Sequence, residues 1–159
     1  MNKYLLDTNV VIGLWKQYPS IINKLIEDEK IIILKEVSEE LVIKERKVYK
    51  GQQVLSERFC KLLFSIIEIN KSNLEEFSSK LNIKYSKSGN IYLNSINKLS
   101  QNDLLLLYAC HSDDNLVLVT EDKYLYNAAN QILGEDKVMT LNMMIDDQYS
   151  EVNSVGQFE

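Results

Sequence analysis

A chain of 159 residues that is 45% hydrophobic suits one domain with a sizeable core. Five Gly and one Pro are too few for a turn-rich all-β protein, and two Cys form neither a disulfide framework nor a zinc signature. A net charge of −5 and a pI near 5.0 disfavour attachment to nucleic acid by overall charge, yet they are compatible with an acidic metal site.

Asp7 and Asn9 interrupt the first apolar run too early for a signal peptide, and no window reaches the roughly 18 apolar residues of a membrane span. The expectation is a soluble cytoplasmic protein with Cys60 and Cys110 as reduced core residues. Lys3–Leu6 reads as a short strand, followed by a helix over Val10–Lys16. Pro19 starts a second helix through about Asp28. Lys30–Leu34 (KIIIL) is β-branched and continuously apolar, as in a buried strand. Helices are expected over about Lys35–Lys50 and Gln53–Ser65, and Ile66–Ile69 reads either as a strand or as the end of the second. Leu74–Leu81 reads as a short helix and Ser86–Asn90 (SKSGN) as a loop. Ser100 is placed to cap a helix over Gln101–His111. Asn115–Thr120 (NLVLVT) is a second buried strand, Asp122–Gln131 a helix, and Lys137–Thr140 a last strand before a short helix. Alternating strands and helices predict an α/β fold with a mostly parallel sheet. The domain is expected to span residues 1–149, with 150–159 a flexible acidic tail.

The acids are the chemically suggestive residues. Asp7 and Asp122 each follow the carboxyl end of a candidate parallel strand, the edge where open α/β sheets bind ligands. Asp103 lies on the side of its helix shared with Leu106, Leu107 and Cys110. It reads equally well as the second half of a capping box with Ser100. In EVSEELVIKERKV, Glu40 falls on the shoulder of the apolar stripe, whereas Glu39 points away. Glu36 has an adequate role at the helix start, and Lys44 shares the inner face. Converging carboxylates need a counter-ion, and hard oxygen ligands suit Mg²⁺ or Mn²⁺. His111 is the single histidine, which rules out two-histidine acid–base ribonuclease chemistry. No Walker A motif, GxGxxG or nucleophile elbow is present.

Four segments in order resemble a PIN-domain nuclease, a family that includes the toxins of VapBC-type toxin–antitoxin pairs. They are YLLDTNVVI, VSEELV, NDLLLLYAC and LVLVTEDKYL. The resemblance implies a three-layer α/β/α sandwich and a divalent-metal-dependent endoribonuclease that leaves 5′-phosphate and 3′-hydroxyl ends. It assigns Asp7, Glu40, Asp103 and Asp122 as catalytic ligands of one or two Mg²⁺ or Mn²⁺. Thr8, Asn9 and Thr120 are expected to orient those ligands. It also brings the expectation of an antitoxin partner and a homodimer. The alternative is a PIN-like module that binds RNA or a protein without turnover. Residues 44–61 carry six Lys or Arg against two Glu, so Lys44, Arg46, Lys47 and Lys50 read either as an RNA groove or as a solvated helix face.

Overall fold

The computed structural model describes residues 2–87 and 99–156. Its main sheet has five parallel strands: β1 (Lys3–Leu6), β2 (Ile31–Leu34), β5 (Ile66–Ile67), β6 (Leu116–Val119) and β7 (Val138–Met139). They lie in the order β5-β2-β1-β6-β7. β1 is central and pairs with β2 through Tyr4↔Ile31 and with β6 from Lys3↔Leu116 to Leu6↔Val119. Its apolar residues and all four of β6 are buried, because helices cover both faces. The result is a three-layer α/β/α sandwich: the parallel sheet follows the alternating pattern, and the three layers are those that the resemblance implies.

The crossovers set the layers. From β1 the chain passes through α1 (Thr8–Gln17) and α2 (Pro19–Glu27) to β2, then through α3 (Lys35–Glu45) towards β5. These steps move one way along the sheet, and right-handed connection puts their helices on one face. α1 touches both α2 and α3. The chain then returns past α5 (Leu74–Lys87) and α6 (Gln101–Ser112) to β6 and continues through α7 (Lys123–Leu133) to β7. That reversed direction puts α5, α6 and α7 on the other face, where α6 touches both neighbours. α6 is apolar nearly all round because it is covered nearly all round: Leu105, Leu106, Leu107, Ala109 and Cys110 are buried.

The last helix, α8 (Leu141–Gly156), runs 16 residues, longer than the short helix expected. The Glu121 carboxylate accepts from its first backbone amide at 2.6 Å. α8 packs close to α1: a Cβ on Gly13 would sit 3.1 Å from Leu141 Cδ2. The buried Tyr4 hydroxyl donates to Asp147 and accepts from Gln148 Nε2 at 2.8 Å, tying α8 to the central strand.

Residues 46–65 correct the expectation of two long helices. α3 stops at Glu45, and an antiparallel hairpin follows, β3 (Lys47–Tyr49) and β4 (Gln52–Val54). Its two-residue turn, Lys50-Gly51, takes positive φ at both positions (50° and 77°), as a primed turn requires. Only α4 (Glu57–Cys60) and a 3-10 turn at Leu63–Ser65 remain of the second helix. The segment Ile66–Ile69 resolves as strand at Ile66–Ile67. Ser86 and Lys87 of the expected SKSGN loop end α5, and the rest of that segment lies outside the described residues. Cys110 is buried, and burial pushes its thiol up to about 12, so it is an inert core residue. Cys60 is exposed instead, because α4 turns Phe59 into the core in its place. No helix among the described residues is long and apolar enough to cross a membrane.

Candidate functional site

β1 and β6 are neighbours, yet the helices that follow them lie on opposite faces. This is a topological switch point, the place at the carboxyl ends of the strands where open α/β sheets bind ligands. Asp7 and Asp122 stand at its two sides. Asp7 is the N-cap of α1, with Oδ1 accepting from the Thr8 amide at 2.8 Å and Oδ2 from Thr120 Oγ1 at 2.9 Å. Asp122 is the N-cap of α7, with Oδ1 accepting from the Tyr124 and Leu125 amides. Thr120 is fully buried; it donates to Asp7 and accepts from the Asp122 amide at 3.1 Å, so one hydroxyl couples both capping acids.

Asp103 enters from α6 and satisfies both readings of the sequence at once. The capping box forms, with Ser100 Oγ accepting from the Asp103 amide at 3.1 Å and Asp103 Oδ2 from the Ser100 amide at 3.0 Å. Its Oδ1 stays uncommitted among the described residues, and the side chain is half-buried facing the other acids. Glu40 enters from α3, while Glu39 is exposed, as the helical geometry predicts. Thr8 Oγ1 donates to Glu40 Oε2 at 2.5 Å, and Asn102 Nδ2 donates to Oε1.

The acids are electrostatically linked. Burial pushes the Asp7 carboxyl above its ordinary value, the Thr120 and Thr8 hydrogen bonds oppose that, and the charges of Asp103 and Glu40 add to it. Burial likewise raises Asp103, against its bonds to Ser100 and with repulsion from Asp122 and Glu40. Among the described residues, none of the four is ion-paired with Lys or Arg. Nor do three or more Asp, Glu, His or Cys side chains among them stand grouped so as to hold a metal ion as they are placed here. Hard-oxygen groups without cationic partners among the described residues, two of which (Asp7 and Asp103) are held back from ionising by burial and by repulsion from the other acids, are what a divalent cation would relieve, so the donor types suit Mg²⁺ or Mn²⁺. A free oxygen remains on Asp103 and on Asp122, and each oxygen of Asp7 and Glu40 keeps a second lone pair.

This repulsion makes a stability prediction. Asp103→Asn keeps the acceptor for the Ser100 amide and removes a charge from the cluster. Because the wild-type carboxyl is raised in the folded state, the fold is penalised when that group ionises and recovers as pH falls through its elevated range. The variant should therefore melt higher than wild type in EDTA near neutral pH, and the gap should close on acidification. Thermal melts across that pH range check this; a gap that widens with acid would contradict it.

The remaining expected residues distribute unevenly. Thr8 and Thr120 hold the acids as anticipated, but Asn9 is exposed and stands outside these hydrogen bonds among the described residues. Lys44 is exposed rather than inward, because α3 turns Glu45 into the interior one residue later. Glu45 is 7% exposed and accepts from Arg58 Nε at 2.7 Å, Arg58 Nη2 at 2.6 Å and Ser56 Oγ at 2.9 Å. The Arg58 guanidinium also lies 4.6 Å from the Trp15 ring centroid. One cation of the basic stretch is thus committed to internal structure. Arg46 and Lys50 are exposed at the hairpin, and the Lys47 side chain lies outside the described residues. Burial raises Glu36, but its contact with Lys71 at 2.5 Å, a backbone bond and Lys35 outweigh that and hold it low, away from the cluster. His111 packs its ring against Phe77 at 4.9 Å, consistent with a structural role. Asn102 is absent from the residues that the sequence singles out; its one visible signal is its place beside Asp103 in the first turn of α6.

No family model matches the chain, and no curated protein matches it. Among solved structures it is similar to PAE2754 from Pyrobaculum aerophilum, at 19% identity over 94% of this chain and 96% of that one, with a TM-score of 0.57. That likeness concerns the fold.

Proposed function

We propose that the chain is a PIN-like, divalent-metal-dependent endoribonuclease. The observation that carries this is the set of four half-buried, mutually repelling carboxylates, without Lys or Arg partners among the described residues, at a parallel-sheet switch point. A Mg²⁺ or Mn²⁺ ion held there by Asp7, Glu40, Asp103 and Asp122 would supply an acidified water and charge stabilisation at a phosphodiester. Thr120 aligns Asp7 and fixes the turn that carries Asp122, while Thr8 holds Glu40 towards them. Purified protein incubated with mixed RNA in Mn²⁺, Mg²⁺ or EDTA tests the proposal. Metal-dependent cleavage with 5′-phosphate and 3′-hydroxyl ends supports it. RNA binding without cleavage in any metal favours a binding module instead.

An RNA groove along the exposed hairpin cations belongs to the same proposal. Lys44→Glu with Lys50→Glu should weaken RNA binding and flatten its log–log salt dependence by about 0.7 for each phosphate no longer neutralised. Fluorescence anisotropy at several salt concentrations measures that slope, and an unchanged slope removes the groove. An antitoxin partner and a homodimer are also proposed, and exposed Ile43, Leu63 and Phe64 offer apolar surface for either.

A further inference from the structure

We propose that Asn102 is the positioning residue that fixes Glu40 for cation binding, an inference that rests on the metal-site reading above. Glu40 is half-buried on a long side chain and faces repulsion from Asp7 and Asp103. Left alone, it gains both entropy and electrostatic relief by swinging into water. Two neutral donors prevent this. Thr8, the residue after Asp7, holds Oε2, and Asn102, the residue before Asp103, holds Oε1. The two donors come from helices on opposite faces of the sheet. Glu40 is therefore clasped between the segments that carry two other acids, and its position is set relative to both.

The chemistry of the donor matters. An ammonium or guanidinium at residue 102 would neutralise Glu40 and compete with a cation. A carboxylate there would repel it. An amide orients the carboxylate, leaves its charge intact and leaves one lone pair on each oxygen. Thr8 is almost fully buried and also begins α1, so its removal would disturb structure broadly. Asn102 sits at the half-exposed start of α6, where its amide serves Glu40.

The test is calorimetric titration of Mn²⁺ into wild type, Asn102→Ala, Glu40→Gln and the double variant, with melting temperatures recorded. Asn102→Ala is expected to weaken Mn²⁺ binding roughly 10- to 100-fold. In the Glu40→Gln background the same change should have almost no effect, because its target is gone. If the alanine variant melts early, Asn102→Ser replaces it in both backgrounds. Unchanged Mn²⁺ affinity in the single variant, with wild type binding normally, overturns the positioning role alone. Full and additive losses in both backgrounds overturn it too, since Asn102 would then act independently of Glu40. A wild type that binds no Mn²⁺ overturns the metal site and this role together.

Discussion

On the proposed ribonuclease reading, Asp7→Asn protein is expected to fold normally and to cut RNA at least about 1,000-fold more slowly than wild type, since that reading makes Asp7 an anionic metal ligand whose loss removes several kcal/mol of charge stabilisation. The substitution is nearly isosteric, and its amide oxygen can still accept from the Thr8 backbone and cap α1. What disappears is the negative charge at the carboxyl end of β1 and the acceptor for the Thr120 hydroxyl. Initial cleavage rates in saturating Mn²⁺ measure the effect, with a melting curve as the control for folding. Cleavage within about tenfold of wild type by a folded variant would remove Asp7 from the reaction.

Arg58→Ala is expected to cost about 2–4 kcal/mol of stability, without entering the acidic site. Breaking a buried ion pair costs more than making it gained, because the remaining charge is stranded. Glu45 would lose its two-pronged partner: it is 7% exposed and accepts two hydrogen bonds from the Arg58 guanidinium. The exposed side of Arg58 tempers the figure. The substitution also strips the cation from the Trp15 ring. Urea unfolding should show the lower midpoint, and adding Glu45→Gln should recover part of it by removing a buried charge that has lost its guanidinium. Lys61→Ala, four residues from Glu57 on the same short segment, should change the midpoint little. Equal midpoints for wild type and Arg58→Ala would show that the pair is not structural.

What is legible in the sequence divides by the range of the interaction involved. KIIIL and NLVLVT announce buried strands within themselves, and Ser100 announces its helix through a box closed within four residues. Glu40 separates from Glu39 by helical angle alone, because Val37 and Leu41 define the inner stripe. The hairpin is hidden because its turn is Lys50-Gly51: Lys rarely takes positive φ, so the segment YKGQ lacks the usual Asn-Gly or Asp-Gly signature. Asn102 and Glu40 lie 62 positions apart, and no local pattern reports that meeting. The Glu45–Arg58 pair is illegible for a related reason. Read as two long helices, over about Lys35–Lys50 and Gln53–Ser65, the region shows no link between Glu45 and Arg58, and only the end of α3 and the hairpin bring Arg58 back across Glu45.

The central place of β1 has a consequence for synthesis. β1 has its two edges filled by β2 and, 113 residues further along the chain, by β6. During synthesis β1 can pair with β2 early, but its other edge stays open until β6 has been made. Thr120, which joins Asp7 to Asp122, arrives with that same late strand. The four acids therefore meet only once the chain through β6 and Asp122 has been made, and a fragment that stops before Leu116 lacks both the strand and the acid that complete the cluster.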